Sequence, residues 1–269
     1  MNSIGIEITK NEIKVGLVGN GDKPELLSVA FMPVLKTLSE TLSGIADLAK
    51  ELLEAASLSV DDISFAGVSI DAPVVGTVAY GSVFGDEADF SALKSFLPVK
   101  DVRVIKTQNA LAIAEEVLTY GKGYSFAYIT LDETIGFGLL IDGKPYTGAN
   151  GLAADIAHTT VQRGGKKCAC GNNGCFEAYA SLSAFESEPR DEYVSYLACG
   201  ITNVMNLFQP NVIVVGGKVM EIGGDELLRE FGETVHAEQY ARNSVNKTLL
   251  ALPSAGPNAA VIGAALYEN

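Results

Sequence analysis

The chain has 269 residues, nearly half of them apolar, enough for one large domain or two smaller ones with a substantial core. Its 33 acidic residues outweigh 19 basic ones, and the net charge of -14 repels phosphate backbones, which argues against nucleic acid as a partner. No apolar run reaches the roughly 18 residues of a bilayer span, and the opening MNSIGIEITKNEIKVGLV lacks the apolar stretch of a signal peptide, so a cytoplasmic protein without membrane contact is expected.

In chain order, SIGIEI (3–8) and IKVGLV (13–18) read as strands separated by the polar TKNE, a hairpin pattern. A turn at Asn20-Gly21-Asp22 leads to a third strand, LLSVAFM. From 39 to 56, apolar residues recur at helical spacing in SETLSGIADLAKELLEAA. Two buried-strand signals follow, ISFAGVSI and VRVIKT, and then a helix over 109–118 whose alanine-rich face permits close approach of other backbone. The pattern then restarts with FAYITLDE, IGFGLLID, the Asp142-Gly143 turn and KPYTG, so two related halves begin near residues 3 and 126. Beyond the cysteine segment, 191–208 reads as a helix, NVIVVGG as a short buried strand and 225–240 as a helix. TLLALPS gives a last strand and AAVIGAALYE a closing helix. This alternation is that of an α/β protein with a mixed sheet packed by helices.

Three of the four cysteines crowd into HTTVQRGGKKCACGNNGCFEAYAS. In a chain without export signals, such clustering favours a metal over disulfides. Cys168 and Cys170 straddle one residue, and Gly171 and Gly174 let the backbone fold back so that Cys175 joins them. His158, ten residues upstream of Cys168, closes a loop on the same ion. One histidine with three cysteines is a standard structural zinc set. The alternative is three reduced thiols packed in a loop. Cys199, within YVSYLACGITNVMNLF, reads as a buried core thiol.

The pattern C-x-C-G-x-x-G-C-x-E-x-x-x-S after a histidine resembles the signature of the ROK family of sugar kinases and sugar-responsive repressors. GANGLAADIAH is similar to that family's G-x-x-G-x-A-G-E-x-G-H, NLFQPNVIVVGG to its helix, proline and strand ending in Gly-Gly, and PNAAVIGAALY to its last helix. The resemblance covers essentially the whole chain. It implies a two-lobed actin/hexokinase-like (ribonuclease H-like) α/β fold with a cleft between lobes, divided as 1–107 plus 254–269 and 108–253, and a homodimer. No helix-turn-helix or basic arm precedes the first strand, so a DNA-binding repressor is the least favoured reading.

By the same resemblance His158 both ligates zinc and bonds a sugar hydroxyl, and Glu177 contacts the sugar. Asp155 stands where the family has a glutamate, one methylene longer, and Ala157 where it has a glycine. The alternative for Asp155 and Glu177 is a pair of carboxylates that stiffen the zinc loop.

The phosphoryl-transfer machinery departs from the family. Aligning Asn109 with the last residue of the family's N-D-A-N places Lys106 and Thr107 over N-D, and threonine cannot serve as a general base near neutral pH. The first phosphate loop, D-x-G-G-T-K, is here Glu7-Ile8-Thr9-Lys10-Asn11-Glu12, without glycines and with an acid for the lysine. The second, G-T-G-I-G, is Asp132-Glu133-Thr134-Ile135-Gly136. Gly136, Gly138, Gly216 and Gly217 remain as nucleotide-side positions, and ATP with magnesium is not favoured as a cofactor. The sequence thus favours a catalytically impaired sugar-binding or regulatory protein. An active ATP-dependent hexose or N-acetylhexosamine kinase with a relocated base, Asp71 or Asp155, is second, and a purely structural subunit third. The stretch between Ser181 and Tyr193 looks trimmed relative to the family.

Overall fold

The computed structural model describes residues 2–21, 23–240 and 248–268; Asp22 of the expected turn lies outside them. The elements run β1 (Asn2–Ile8), β2 (Glu12–Gly19), β3 (Glu25–Pro33), α1 (Leu38–Ala55) and β4 (Ile63–Ile70). Then come the short strands β5 (Val74–Val75), β6 (Val78–Ser82) and β7 (Gly85–Asp89), followed by β8 (Val102–Lys106) and α2 (Thr107–Glu115). The second series is β9 (Phe126–Leu131), β10 (Ile135–Ile141), β11 (Lys144–Pro145), α3 (Glu177–Ala180), α4 (Leu182–Ser187) and α5 (Arg190–Phe208). It closes with β12 (Val212–Gly216), α6 (Lys218–Glu238), β13 (Leu249–Ala251) and α7 (Ala259–Leu266).

The chain divides into two compact units, 1–122 with 147–152 and 255–269, and 123–146 with 153–254. The sheet of the first unit has the order β3-β2-β1-β4-β8. β1 and β2 form an antiparallel hairpin, and β4 and β8 extend it in parallel. Both faces of β1 and β4 are covered, which is why they read as near-continuous apolar runs. On one face lies α1, whose Leu42, Ile45, Ala46, Ala49 and Leu53 form the apolar stripe. A capping box between Thr37 and Glu40 starts that helix and is worth about 1 kcal/mol. On the other face lies α7, in direct backbone contact with the sheet. A β-carbon on Gly5 would strike the carbonyl of Val261, and one on Gly67 that of Ala264. Likewise Gly263 lies against the carbonyl of Ala110, so the small face expected for the 109–118 helix is used by α7.

The second unit repeats the plan: β11-β10-β9-β12-β13, with β9 antiparallel to β10 and parallel to β12. The two sheets share strand order and strand sense, which is the repeat expected from residues 3 and 126. Helices α5 and α6 cover this sheet through Tyr193, Leu197, Ile201, Leu227 and Phe231 against Ile129, Ile213 and Val215. The Tyr193 hydroxyl, fully buried, donates to the carbonyl of Ala180 and so meets the cost of its burial. No helix among the described residues is long and apolar enough to cross a membrane.

Several boundaries differ from expectation. The strand in KPYTG covers only Lys144–Pro145. The 109–118 helix starts at Thr107 and passes into a π-helical turn at Glu116–Tyr120. Relative to a division after residue 107, this helix lies with the first unit, because Ala110 packs on α7. The 225–240 helix starts where expected, directly after a kink with non-helical torsions at Gly224, and a further helical stretch from Lys218 precedes that kink within α6. Between Ser181 and Tyr193 the chain holds α4 and the first turn of α5. Cys199 is only partly buried on α5 and stands outside the core cluster, a correction to its reading as a core thiol.

Candidate functional site

The metal-ligating candidates are brought together as the sequence proposed. His158 ends a short 3-10 turn, Ile156–His158, and the cysteines occupy a compact loop. Two isolated antiparallel bridges, Thr160 with Cys175 and Lys167 with Asn173, fold that loop back on itself. Within it the Cys168 N–H donates to the Asn172 carbonyl at 2.8 Å and the Gly174 N–H to the Lys166 carbonyl at 2.7 Å. Gly174 adopts φ 81°, and a β-carbon there would strike the carbonyl of Gln162, so glycine is required for the return.

The nitrogen or sulfur atoms that His158, Cys168, Cys170 and Cys175 offer lie within 4.8 Å of one another. Cys170 Sγ is 3.6 Å from Cys175 Sγ, and His158 Nδ1 is 3.7 Å from Cys168 Sγ. A tetrahedral ion with Zn–S of about 2.3 Å and Zn–N of about 2.05 Å sets S···S edges near 3.8 Å and N···S edges near 3.6 Å. The group therefore fits a four-coordinate metal ion. Facing the thiols through Nδ1 leaves the Nε2 of His158 for another partner. Burial, and then the neighbouring thiols, push the Cys175 thiol up to about 12, whereas the backbone N–H of Asn172 holds the Cys170 thiol below its ordinary value. A divalent cation is what allows such a buried thiol to ionise.

Glu177 opens α3 directly after the loop. Its Oε2 accepts from the Ile135 N–H at 3.1 Å, and its Oε1 lies 3.9 Å from Cys168 Sγ. It therefore ties the cysteine loop to the start of β10, a link between residues 42 apart that no local pattern signals. Asp155 is exposed, at the head of the turn that carries His158.

The turns expected to meet phosphate are occupied by the chain's own groups. Between β9 and β10, Asp132 Oδ1 accepts the N–H of Lys218 at 2.7 Å. Lys218 is the first residue of α6, so a carboxylate sits at the positive end of that helix. Gly217, at φ 90°, precedes it, with no room for a β-carbon against the backbone of Leu131. Gly136 and Gly138 pair with Thr130 and Tyr128 inside the β9–β10 ladder, and Gly216 pairs with Thr130 at the end of β12. Between β1 and β2, Thr9 Oγ1 donates to the Glu12 carbonyl at 2.8 Å and accepts the Glu12 N–H at 3.0 Å. The turn is thereby closed by a side chain. Glu7 is matched by Lys14, whose Nζ lies 2.8 Å from Oε2.

Thr107 starts α2 at the end of β8, and its Oγ1 is buried without a hydrogen-bond partner. Next to it, Gln108 Nε2 donates to Asp71 Oδ1 at 3.1 Å. The sequence singled out Asp71 but not its tie to Gln108, since the two are 37 residues apart.

Comparison with known proteins agrees with this architecture. The chain is 28% identical over 201 residues to the xylose repressor of Bacillus spizizenii, covering 64% of this chain and 52% of that protein. It is 27% identical over 190 residues to an N-acetylmannosamine kinase of Vibrio cholerae, covering 70% of this chain and 64% of the kinase. The chain thus spans about half the length of the repressor and under two thirds of the kinase. Among solved structures, a ROK hexokinase from Thermus thermophilus superposes with a TM-score of 0.84 at 22% identity, over 99% of this chain and 97% of that one, and shows the same actin/hexokinase-like fold. The family model described as "ROK family" matches residues 3–191 and 187–268, and the chain belongs to the ROK family.

Proposed function

We propose that this is a ROK protein that binds a sugar beside a structural zinc centre and does not transfer phosphate efficiently. The observation that carries the reading is the Asp132 carboxylate on the N–H of Lys218. A helix N-terminus is an anion site, and here an internal anion already fills it. Glu133, exposed in the same turn, adds a second negative charge against a triphosphate. The closed Thr9 turn and Thr107 at the family's base position agree with this.

His158, Cys168, Cys170 and Cys175 would hold the zinc. Four protein ligands leave no open position, so the ion organises the loop rather than supplying a reagent. It also fixes the ring of His158, whose free Nε2 then serves a sugar hydroxyl together with Asp155 and Glu177. The relatives' names give the class: a pentose for the repressor, an N-acetylhexosamine for the kinase. A homodimeric, cytoplasmic protein without nucleic-acid or membrane partners is part of the same proposal.

Calorimetric titration of the zinc-loaded chain with MgATP, and separately with D-glucose, D-xylose and N-acetyl-D-mannosamine, tests it. The expected result is heat from a sugar, abolished in Glu177→Ala, and none from MgATP. MgATP binding with ADP release would instead establish an ATP-dependent sugar kinase with a relocated base. The observation favouring that second reading is the carboxylate of Asp71, held by the residue that follows Thr107.

A further inference from the structure

The margins of the two sheets are unequal. The second sheet ends on β11, of two residues, and β13, of three, and the first ends on one side at β8, of five. Its other margin, β3, runs for nine residues, and no strand among the described residues pairs with its outer side. The Val34 N–H donates to the Asn11 carbonyl at 3.3 Å, which sets the phase of the ladder between β3 and β2. Bonded and non-bonded pairs alternate along an antiparallel ladder, and the register is regular from Glu12 with Pro33 to Leu17 with Ser28. Ser28, Ala30 and Met32 therefore bond β2, whereas Val29 and Phe31 turn N–H and C=O to the open side. Pro33 shares their phase, a position where an edge strand tolerates proline.

Long open edges are ordinarily guarded by charged side chains, lysine above all. The stretch LLSVAFMPVL, Leu26 to Leu35, has none, in a chain of net charge -14. Within it Leu27 is 49% and Phe31 54% exposed. Exposed Glu25 and Lys36 bracket the run at opposite ends. We propose that β3 is the docking surface for a second copy of this chain: two β3 strands pair antiparallel about a two-fold axis at Ala30, so that the two five-stranded sheets run on as one. In that register Val29 and Phe31 of one copy exchange N–H and C=O bonds with Phe31 and Val29 of the other, and the two side chains form an aromatic and β-branched pair on one face. Antiparallel pairing also brings the Glu25 end of one run to the Lys36 end of the other. Two strongly acidic copies repel over most of their surface, and this uncharged strand with complementary ends is where that repulsion is least. The inference rests on the homodimer reading above and adds to it the face and the register.

Sedimentation equilibrium of the metal-loaded full chain over a dilution series tests it, in the wild type, in Phe31→Glu and in Val29→Lys combined with Phe31→Glu, with melting temperatures alongside. Phe31 is exposed and lies opposite Lys14 of β2, so the fold accommodates a glutamate there. Phe31→Glu should weaken the dimer by about tenfold or more. The double variant should recover part of that loss, because the new lysine of one copy faces the new glutamate of the other. Ala30→Cys supplies the measurement if the charged variants do not fold: across the axis the two Cα atoms lie about 4.5 Å apart, within reach of a disulfide. Oxidised glutathione should then give a covalent dimer that the wild type does not form. A wild-type dimer whose constant is unchanged by Phe31→Glu, with no cross-link in Ala30→Cys, would overturn this inference and leave the homodimer reading standing on another face. A wild-type chain that is monomeric at every concentration would overturn both.

Discussion

The two sheets are the same construction built twice, and the hairpin that opens each one has come to a different end. In the first unit the β1–β2 turn is closed by Thr9, which bonds both the N–H and the carbonyl of Glu12. In the second, the β9–β10 turn is closed on a helix: Asp132 takes the Lys218 N–H, and Glu177 takes the Ile135 N–H. The first turn is bonded within itself and to the residue after β3, where the Val34 N–H donates to the Asn11 carbonyl at 3.3 Å, whereas the second is wired to the cysteine loop and to α6. A strand order can thus be kept while the turns that carry chemistry diverge, because the sheet is held by the core and the turns are held only by their own contacts. The wired turn depends on neighbours, so perturbing those neighbours should separate the two halves.

The largest effect is expected from the metal. Under the proposed function the ion would give order to a largely exposed loop that buries little apolar surface of its own, so removing it would remove folding free energy from the second unit. Chelation, checked by metal analysis, should lower the melting temperature by on the order of 10 °C, and Cys168→Ser should do the same without chelator. Amide exchange should rise at Ile135 and through residues 158–177, while β1 and β4 stay protected. Exchange rising equally in both sheets would break the comparison. Protons compete with the metal, because the Cys175 thiol, pushed up to about 12 by burial, must ionise to bind it. Metal affinity should therefore fall as pH is lowered from 8 to 5, and calorimetric titration of zinc across that range measures it.

A smaller effect is expected at Asp132. Asp132→Ala removes the acceptor at the start of α6, which costs about 1 kcal/mol, or about 2 to 4 °C in melting temperature for a chain of this size. The same change vacates a helix N-terminus, so inorganic phosphate should bind the variant and not the wild type. An unchanged melting temperature, or phosphate binding to both proteins, would show that the β9–β10 turn is not closed on α6 as the geometry indicates.

What the sequence disclosed and what it withheld follow the same division. Strands such as ISFAGVSI were legible because burial on both faces demands an unbroken apolar run, and the grouping of His158 with Cys168, Cys170 and Cys175 because one histidine and three cysteines at this spacing are a set that could hold a metal. The small sheet of β5, β6 and β7 was not, since its strands are short and mostly exposed and carry neither alternation nor an apolar run. The bonds from Asp132 to Lys218 and from Gln108 to Asp71 join residues 86 and 37 apart. Nothing in the local pattern marks an acid as the cap of a distant helix, because the partner is an anonymous backbone N–H.

The smallest expected effect sharpens the comparison at the segment leading into His158. Ala154 holds φ 63°, in the left-handed region, where a β-carbon costs roughly 1 to 2 kcal/mol. The ROK motif that this segment resembles has glycine at this position, the residue suited to a left-handed backbone. Ala154→Gly removes the strain but adds conformational freedom to the unfolded chain, a loss of roughly 0.5 to 1 kcal/mol. The net should be a stabilisation of a few tenths of a kcal/mol to about 1 kcal/mol, read as a rise of about 1 to 3 °C in melting temperature. The rise should persist in chelated protein if the strain belongs to the 153–155 turn alone. A rise seen only in the metal-loaded form would tie the strain to the cysteine loop, and would extend the wired half of the molecule to include the approach to His158.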